Sequence, residues 1–233
     1  MFLDADDIWH SNHLEIMKKL IEKYPDAGLY GTFSGAELVN GDVIDECAFF
    51  SGKDTDEAYL EDFFVAYHND KSAKLFTVIT TCIRKDALKI TGGFPVGCKI
   101  GEDLELSLRV AAYCPVVLSG KCTAIYKKVN STATKDKSFD PDWSFFDTVE
   151  NLYRDERISA KKRENLKALM QWFSMRRFRH YLINGEKQKA VKVYRETDKS
   201  ALSRKDRMIN GVLLLLPAAA VRHIFALRWR GQA

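Results

Sequence analysis

Apolar and polar positions recur at two different periods along this chain, and the alternation between them predicts a mixed α/β protein. Phe2 and Leu3 stand directly before a crowd of acids and read as the end of a buried strand, with the acids in the loop that leaves it. Leu14, Met17, Leu20 and Ile21 fall at helical spacing, so a helix is expected over 13–23, capped by Ser11 or Asn12 and stopped before Pro25. Residues 27–33 (AGLYGTF) read as a strand. Asn40-Gly41 predicts a tight hairpin between 37–39 and 43–44. A polar loop at 51–57 leads to a short amphipathic helix at 60–67, and the β-branched run 77–84 to another strand. One or two helical turns at 85–90 end at Gly92-Gly93-Phe94-Pro95, and Leu104, Leu108 and Ala111 share one side of a helix reaching Tyr113.

Beyond residue 136 the period is helical throughout. Trp143, Phe146, Val149 and Tyr153 predict one helix. Ser159 is placed to cap a long one that ends at Asn184-Gly185, with an apolar stripe through Leu166, Leu169, Phe173, Phe178 and Leu182. A further helix over 186–196 would close a helical hairpin, and Asp198 or Ser200 would start another. The expected domains are therefore 1–135, with a sheet, and 136–233, a helical extension.

Composition adds an asymmetry that the net charge of +4 conceals. Residues 161–233 carry 18 Lys/Arg against 5 Asp/Glu, a balance of +13, which leaves −9 for residues 1–160. A basic half of this kind suits an anionic partner. The apolar tail 213–230, flanked by Arg222, Arg228 and Arg230, suits the surface of an anionic membrane or a terminal helix packed on its own domain. The stretch 209–221 is shorter than the about 20 apolar residues a membrane-spanning helix needs. No nucleic-acid-binding motif is present. The five cysteines are odd in number and contain no C-x-x-C, which argues for reduced thiols; with no secretory leader pattern, a cytoplasmic protein is expected, with peripheral contact at the inner face of the plasma membrane.

Two stretches carry candidate chemistry. Asp4, Asp6 and Asp7 crowd into four positions, and a hard divalent cation would relieve their repulsion. On an extended chain Asp4 and Asp6 point the same way. An acidic turn ahead of a helix is the plainer alternative. His10 and His13 lie near these acids but match no metal motif and read as surface residues. In the second stretch, Glu102 and Asp103 open a helix, where the macrodipole favours negative charge; that position serves equally a helix start and a general base held as a carboxylate.

Taken together, FLDADDIW (2–9), GGFP (92–95) and GEDLELSLR (101–109), in this order and spacing, resemble glycosyltransferase family 2, of the GT-A fold. The resemblance covers roughly residues 1–135. It implies the C-terminal part of a GT-A, Rossmann-like mixed-sheet domain, followed here by the helical extension. It also implies an inverting, metal-dependent transfer of one sugar from a UDP- or GDP-type nucleotide sugar to a glycan or lipid-linked acceptor hydroxyl, in surface glycan or polysaccharide synthesis. Asp4 and Asp6 match the acids that meet Mg2+ or Mn2+. Asp103 matches the catalytic base and Glu102 its neighbour. Asp7, Trp9, Gly93, Phe94, Gly101, Lys127 and Lys128 fall where substrate contacts are expected.

The chain departs from the family in three respects. The nucleotide-binding half that precedes the D-x-D in family members has no counterpart before residue 4, so weak nucleotide binding and an open sheet edge are expected. Val129 stands where many members have a His, which leaves Lys127 and Lys128 either as contacts to the diphosphate or as a solvated pair at a strand end. The Q-x-x-R-W motif of processive synthases is missing, which favours single-sugar transfer. A non-catalytic remnant acting as a binding module, or a phosphohydrolase of the haloacid dehalogenase type, are the alternatives; the second would want a small residue and Thr after Asp6, where Asp7-Ile8 stand.

Overall fold

The computed structural model describes residues 1–37, 43–44, 48–69, 77–98, 101–127, 143–200 and 202–230. At its centre two strands run parallel, β2 (Leu29–Glu37) and β6 (Val116–Lys127). Each carries two short antiparallel strands end to end on its free edge. On β6 these are β1 (Ile8–Trp9), opposite Ala124 and Ile125, and β4 (Glu57–Leu60), opposite Val116 to Ser119. On β2 they are β5 (Thr81–Ile83), opposite Leu29 to Gly31, and β3 (Val43–Ile44), opposite Ala36 and Glu37. The β2–β6 register jumps from Gly31–Leu118 to Phe33–Cys122, so β6 bulges. Gly120 sits in that bulge; a Cβ there would lie 2.8 Å from the Phe50 ring.

Side chains alternate across the sheet as strand geometry requires. Leu29, Val116 and Leu118 enter the main core, beneath α4 (Glu102–Tyr113), while Tyr30 and Val117 face α1 (His13–Lys23) on the other side. The main core also takes Phe63 and Phe64 of α2 (Phe63–Asn69), Ala87 of α3 (Lys85–Thr91), and Phe145, Val149 and Leu152 of α5 (Phe145–Arg154).

The long helix α6 (Ala160–Ile183) is shared between two cores. Its 24 residues span about 36 Å at 1.5 Å per residue. Leu166, Leu169 and Phe173 join the sheet core; Met175, Phe178, Tyr181 and Leu182 build a second one. The second core is completed by Ala190 of α7 (Lys187–Glu196), Leu213 of α8 (Arg204–Leu215) and Val221 of α9 (Ala218–Arg230). The ends of α6 follow capping chemistry. Ser159 Oγ accepts from Lys162 N at 3.3 Å. At the other end Gly185 adopts φ +81°, with Gly185 N donating to Leu182 O and Glu186 N to Tyr181 O.

Several expectations change. Phe2 and Leu3 lie outside any strand, and Leu3 is exposed; the β6 ladder takes Ile8 and Trp9 instead. The buried face of α1 is His13, Met17 and Leu20, one position round from the expected stripe, and Leu14 points to solvent. Residues 57–60 pair with β6 rather than forming loop and helix, and α2 starts only after Asp62, whose Oδ1 accepts from Phe64 N at 3.1 Å. The run 77–84 divides into a 3-10 turn (Val78–Thr80) and β5. Ser203, not Asp198 or Ser200, caps α8, accepting from Asp206 N at 3.0 Å. Glu37 pairs with Val43 and Ala36 with Ile44, while residues 38–42, with Asn40-Gly41 among them, lie outside the described residues. Among the described residues no helix is long and apolar enough to cross a membrane.

Candidate active site

The acidic stretch at 4–7 is a turn, not an extended strand. Asp7 N donates to Asp4 O at 3.2 Å and closes it, so Asp4 and Asp6 are exposed turn residues rather than neighbours on one strand face. Asp7 alone is buried. Its Oδ1 accepts from Lys127 N at 2.9 Å, which prolongs the β1–β6 ladder by a side-chain bond. Its Oδ2 is buried with no hydrogen-bond partner among the described residues. Burial pushes the Asp7 carboxyl above the usual carboxylate range; the Asp6 and Asp4 charges add to this and the Lys127 N–H opposes it.

The turn lies beside the second motif. Phe2 packs edge-on against Phe94 of the Gly-Gly-Phe loop, with ring centroids 5.1 Å apart. Phe2, Phe94 and Asp103, with Val78, Thr81 and Leu106, line a narrow slot of about 10 Å³, room for one water. A larger cavity of about 220 Å³ lies in the helical half, between Leu182, Lys187 and Leu215, far in sequence from either motif.

Asp103 is the second residue of α4. Its Oδ1 accepts from Leu104 N at 2.7 Å. Burial nonetheless raises its carboxyl above the ordinary value, and the Glu102 and Asp4 charges push the same way. The helix start therefore does not hold this acid down, contrary to the expectation from the macrodipole; loss of water outweighs it.

The backbone around Asp103 is held by residues of both motifs. Gly101 caps α4 at φ +81°, and a Cβ on it would lie 2.4 Å from the Trp143 ring. Trp143 stacks on Phe145 at 4.4 Å. Arg109, at the end of the second motif, donates to Thr91 O and Gly93 O and so ties α4 to the glycine turn. Glu102 is half-buried, and Gly93 and Phe94 are exposed.

The remaining predicted residues have structural partners. Trp9 Nε1 donates to Ile79 O at 2.7 Å and the indole stacks on His13 at 4.3 Å. Lys127 Nζ lies 3.7 Å from Glu37 Oε2. Lys128 lies outside the described residues.

Two buried polar residues escaped sequence reasoning. Glu105 accepts from Ser144 Oγ and Thr148 Oγ1, each at 2.7 Å, and so joins α4 to α5. Its spacing with Leu108 and Ala112 places it on the buried side, a signal present in the sequence. His13, expected at the surface, is fully buried. Its Nδ1 bonds Thr123 Oγ1 at 2.7 Å, and Thr123 Oγ1 in turn meets Thr32 Oγ1. Burial lowers the His13 pKa, and the charge of His10 lowers it further.

Among the described residues no group of three or more His, Cys, Asp or Glu side chains converges as a metal cluster. The turn fits a more weakly held hard cation, which needs only one or two protein carboxylates. Asp4 and Asp6 present theirs to solvent beside the unpartnered Asp7 Oδ2. No protein-family model matches this chain, and no curated protein matches it.

Proposed function

We propose that this chain carries the metal and acceptor half of an inverting glycosyltransferase of GT-A type. The observation that supports it best is the slot shared by Phe2, just before the acidic turn, and Asp103 of α4, a half-buried carboxyl raised by burial and, in smaller part, by the charges of Glu102 and Asp4. A half-buried carboxyl with a raised pKa is suited to take a proton near neutral pH. In the proposed step the acceptor hydroxyl gives its proton to an Asp103 carboxylate oxygen. The hydroxyl oxygen bonds the anomeric carbon from the face opposite the nucleoside diphosphate, which departs with the electron pair of the broken bond. Asp4 and Asp6 would hold a Mg2+ or Mn2+ ion, which supplies charge neutralisation for that leaving group. Arg109 keeps the glycine turn and α4 in register. Trp143 fixes the helix start from behind.

The test is sugar transfer from a panel of UDP- and GDP-sugars with Mn2+, to oligosaccharide and polyprenyl-linked acceptors. Asp103→Asn keeps the size and the hydrogen bond from Leu104 N. It is expected to lower transfer by about 10²–10⁴-fold, the usual contribution of a general base. Transfer that survives this substitution would remove Asp103 from the chemistry.

A further inference from the structure

The outer face of α8 presents large apolar side chains to solvent. Met208, Val212 and Leu215 follow one another at spacings of four and three along one side of the helix, and Ile209 lies beside them. Leu215 is 79% exposed and Met208 68%. The opposite side is spent on the second core, where Leu213 packs and Asn210 Nδ2 approaches Met175 Sδ at 3.6 Å. This helix is therefore apolar on both sides, and among the described residues only one side has a partner within the fold.

Its charges are equally one-sided. Arg204, Lys205 and Arg207 are exposed in and next to the first turn, and the last turn contains no cation. That is the wrong end for the helix itself, because its N-terminus carries partial positive charge. These cations oppose the local dipole, while Asp206 of the same turn suits it, and three cations against one carboxylate leave this turn net positive and open to an anionic partner. Exposed Arg222 and Ile224 of α9 extend the same combination past Pro217. The whole segment 161–233 holds 18 Lys/Arg against 5 Asp/Glu.

We infer that α8 is a membrane-docking helix that lies in the plane of an anionic lipid bilayer. Met208, Val212 and Leu215 enter the interface, and Arg204, Lys205 and Arg207 meet the headgroups. Apolar residues on one side with cations around them are marks of an interfacial helix. Charge complementarity selects anionic lipid over a second copy of this chain, whose matching face would bring like charges together. The tail 213–230, for which the sequence offers either membrane contact or packing on its own domain, divides: Leu213 and Val221 are buried, and the exposed face begins further upstream. The inference is independent of the sugar-transfer reading.

Flotation of the full chain with phosphatidylcholine vesicles, with and without about 30% phosphatidylserine, tests it. Binding is expected only to the anionic vesicles, and is expected to weaken as salt rises. Val212→Asp with Leu215→Asp, and separately Lys205→Glu with Arg207→Glu, should each lower binding at least tenfold. These side chains are exposed, so the melting temperature should hold and serves as the control. Equal binding to neutral vesicles, no binding, or binding untouched by either pair of substitutions would overturn the inference. So would concentration-dependent dimerisation, abolished by the same substitutions, in a chain that does not float.

Discussion

His13 shows how one residue can set the acid limit of this fold. Its ring is enclosed between Trp9 and the Thr123–Thr32 hydroxyls, with Nε2 unpartnered among the described residues. Its folded pKa is below the ordinary value, so in the acid range the unfolded chain binds the proton more readily than the folded one. Stability then falls as pH drops below about 6.5, the free histidine value. Urea midpoints at pH 7.5 and 5.5 should differ more for the parent than for His13→Gln, which cannot take up that proton. Gly101 is the other residue with a sharp expectation. Gly101→Ala adds overpacking against Trp143 of about 1–3 kcal/mol to a left-handed backbone cost of about 1 kcal/mol. Equilibrium urea unfolding should show a loss of about 2–4 kcal/mol.

Among the elements, α4 and α5 share the main core and are further tied by one carboxylate, that of Glu105. Removing it in Glu105→Ala takes away two hydrogen bonds to a charged group, and a loss of about 2–3 kcal/mol follows. The urea midpoint should shift with little change in slope, and Glu105→Gln should recover part of the loss. Elements set by their own local chemistry were legible in the sequence: α3 and its glycine turn, α4, and α6 with its Ser159 cap and Gly185 end. The rest depends on contacts between distant residues. β4 borrows its extended form from β6, so Leu60, Phe63 and Phe64 mimic a helical stripe. β6 was not legible as a strand over 116–127, because Ser119-Gly120-Lys121 interrupts it with a bulge, where Gly120 lies against Phe50. The α1 stripe was misplaced by one position because His13 counted as polar, although Thr123 satisfies it. At the candidate site Asp103 and Gly101 were legible as residue types. That Asp7 rather than Asp4 or Asp6 is the buried acid was not, since its partner is the backbone of Lys127.

At the scale of the molecule, α6 is, among the described residues, the one helix that contributes to both the sheet core and the helical core. Ser174 lies at the change-over, between Phe173 of the first and Met175 of the second. Ser174→Pro removes an intrahelical hydrogen bond and breaks the helix there, at a cost of about 3 kcal/mol or more. Cooperativity between the cores depends on that continuity. Scanning calorimetry should change from one transition to two, with the helical core melting first because its buried set is the smaller.

The short outer strands have a consequence for how copies of this chain meet one another. Among the described residues β1 and β3 have two residues each, β5 three and β4 four, all below the usual five or six. Each flank of the sheet is thus cut into fragments that differ in sequence. Fibril growth needs a long, flat run of free backbone donors and acceptors to copy. Here a newcomer would find at most four residues in line before the template stops, with the Lys23–Glu57 ion pair across the start of the longest piece.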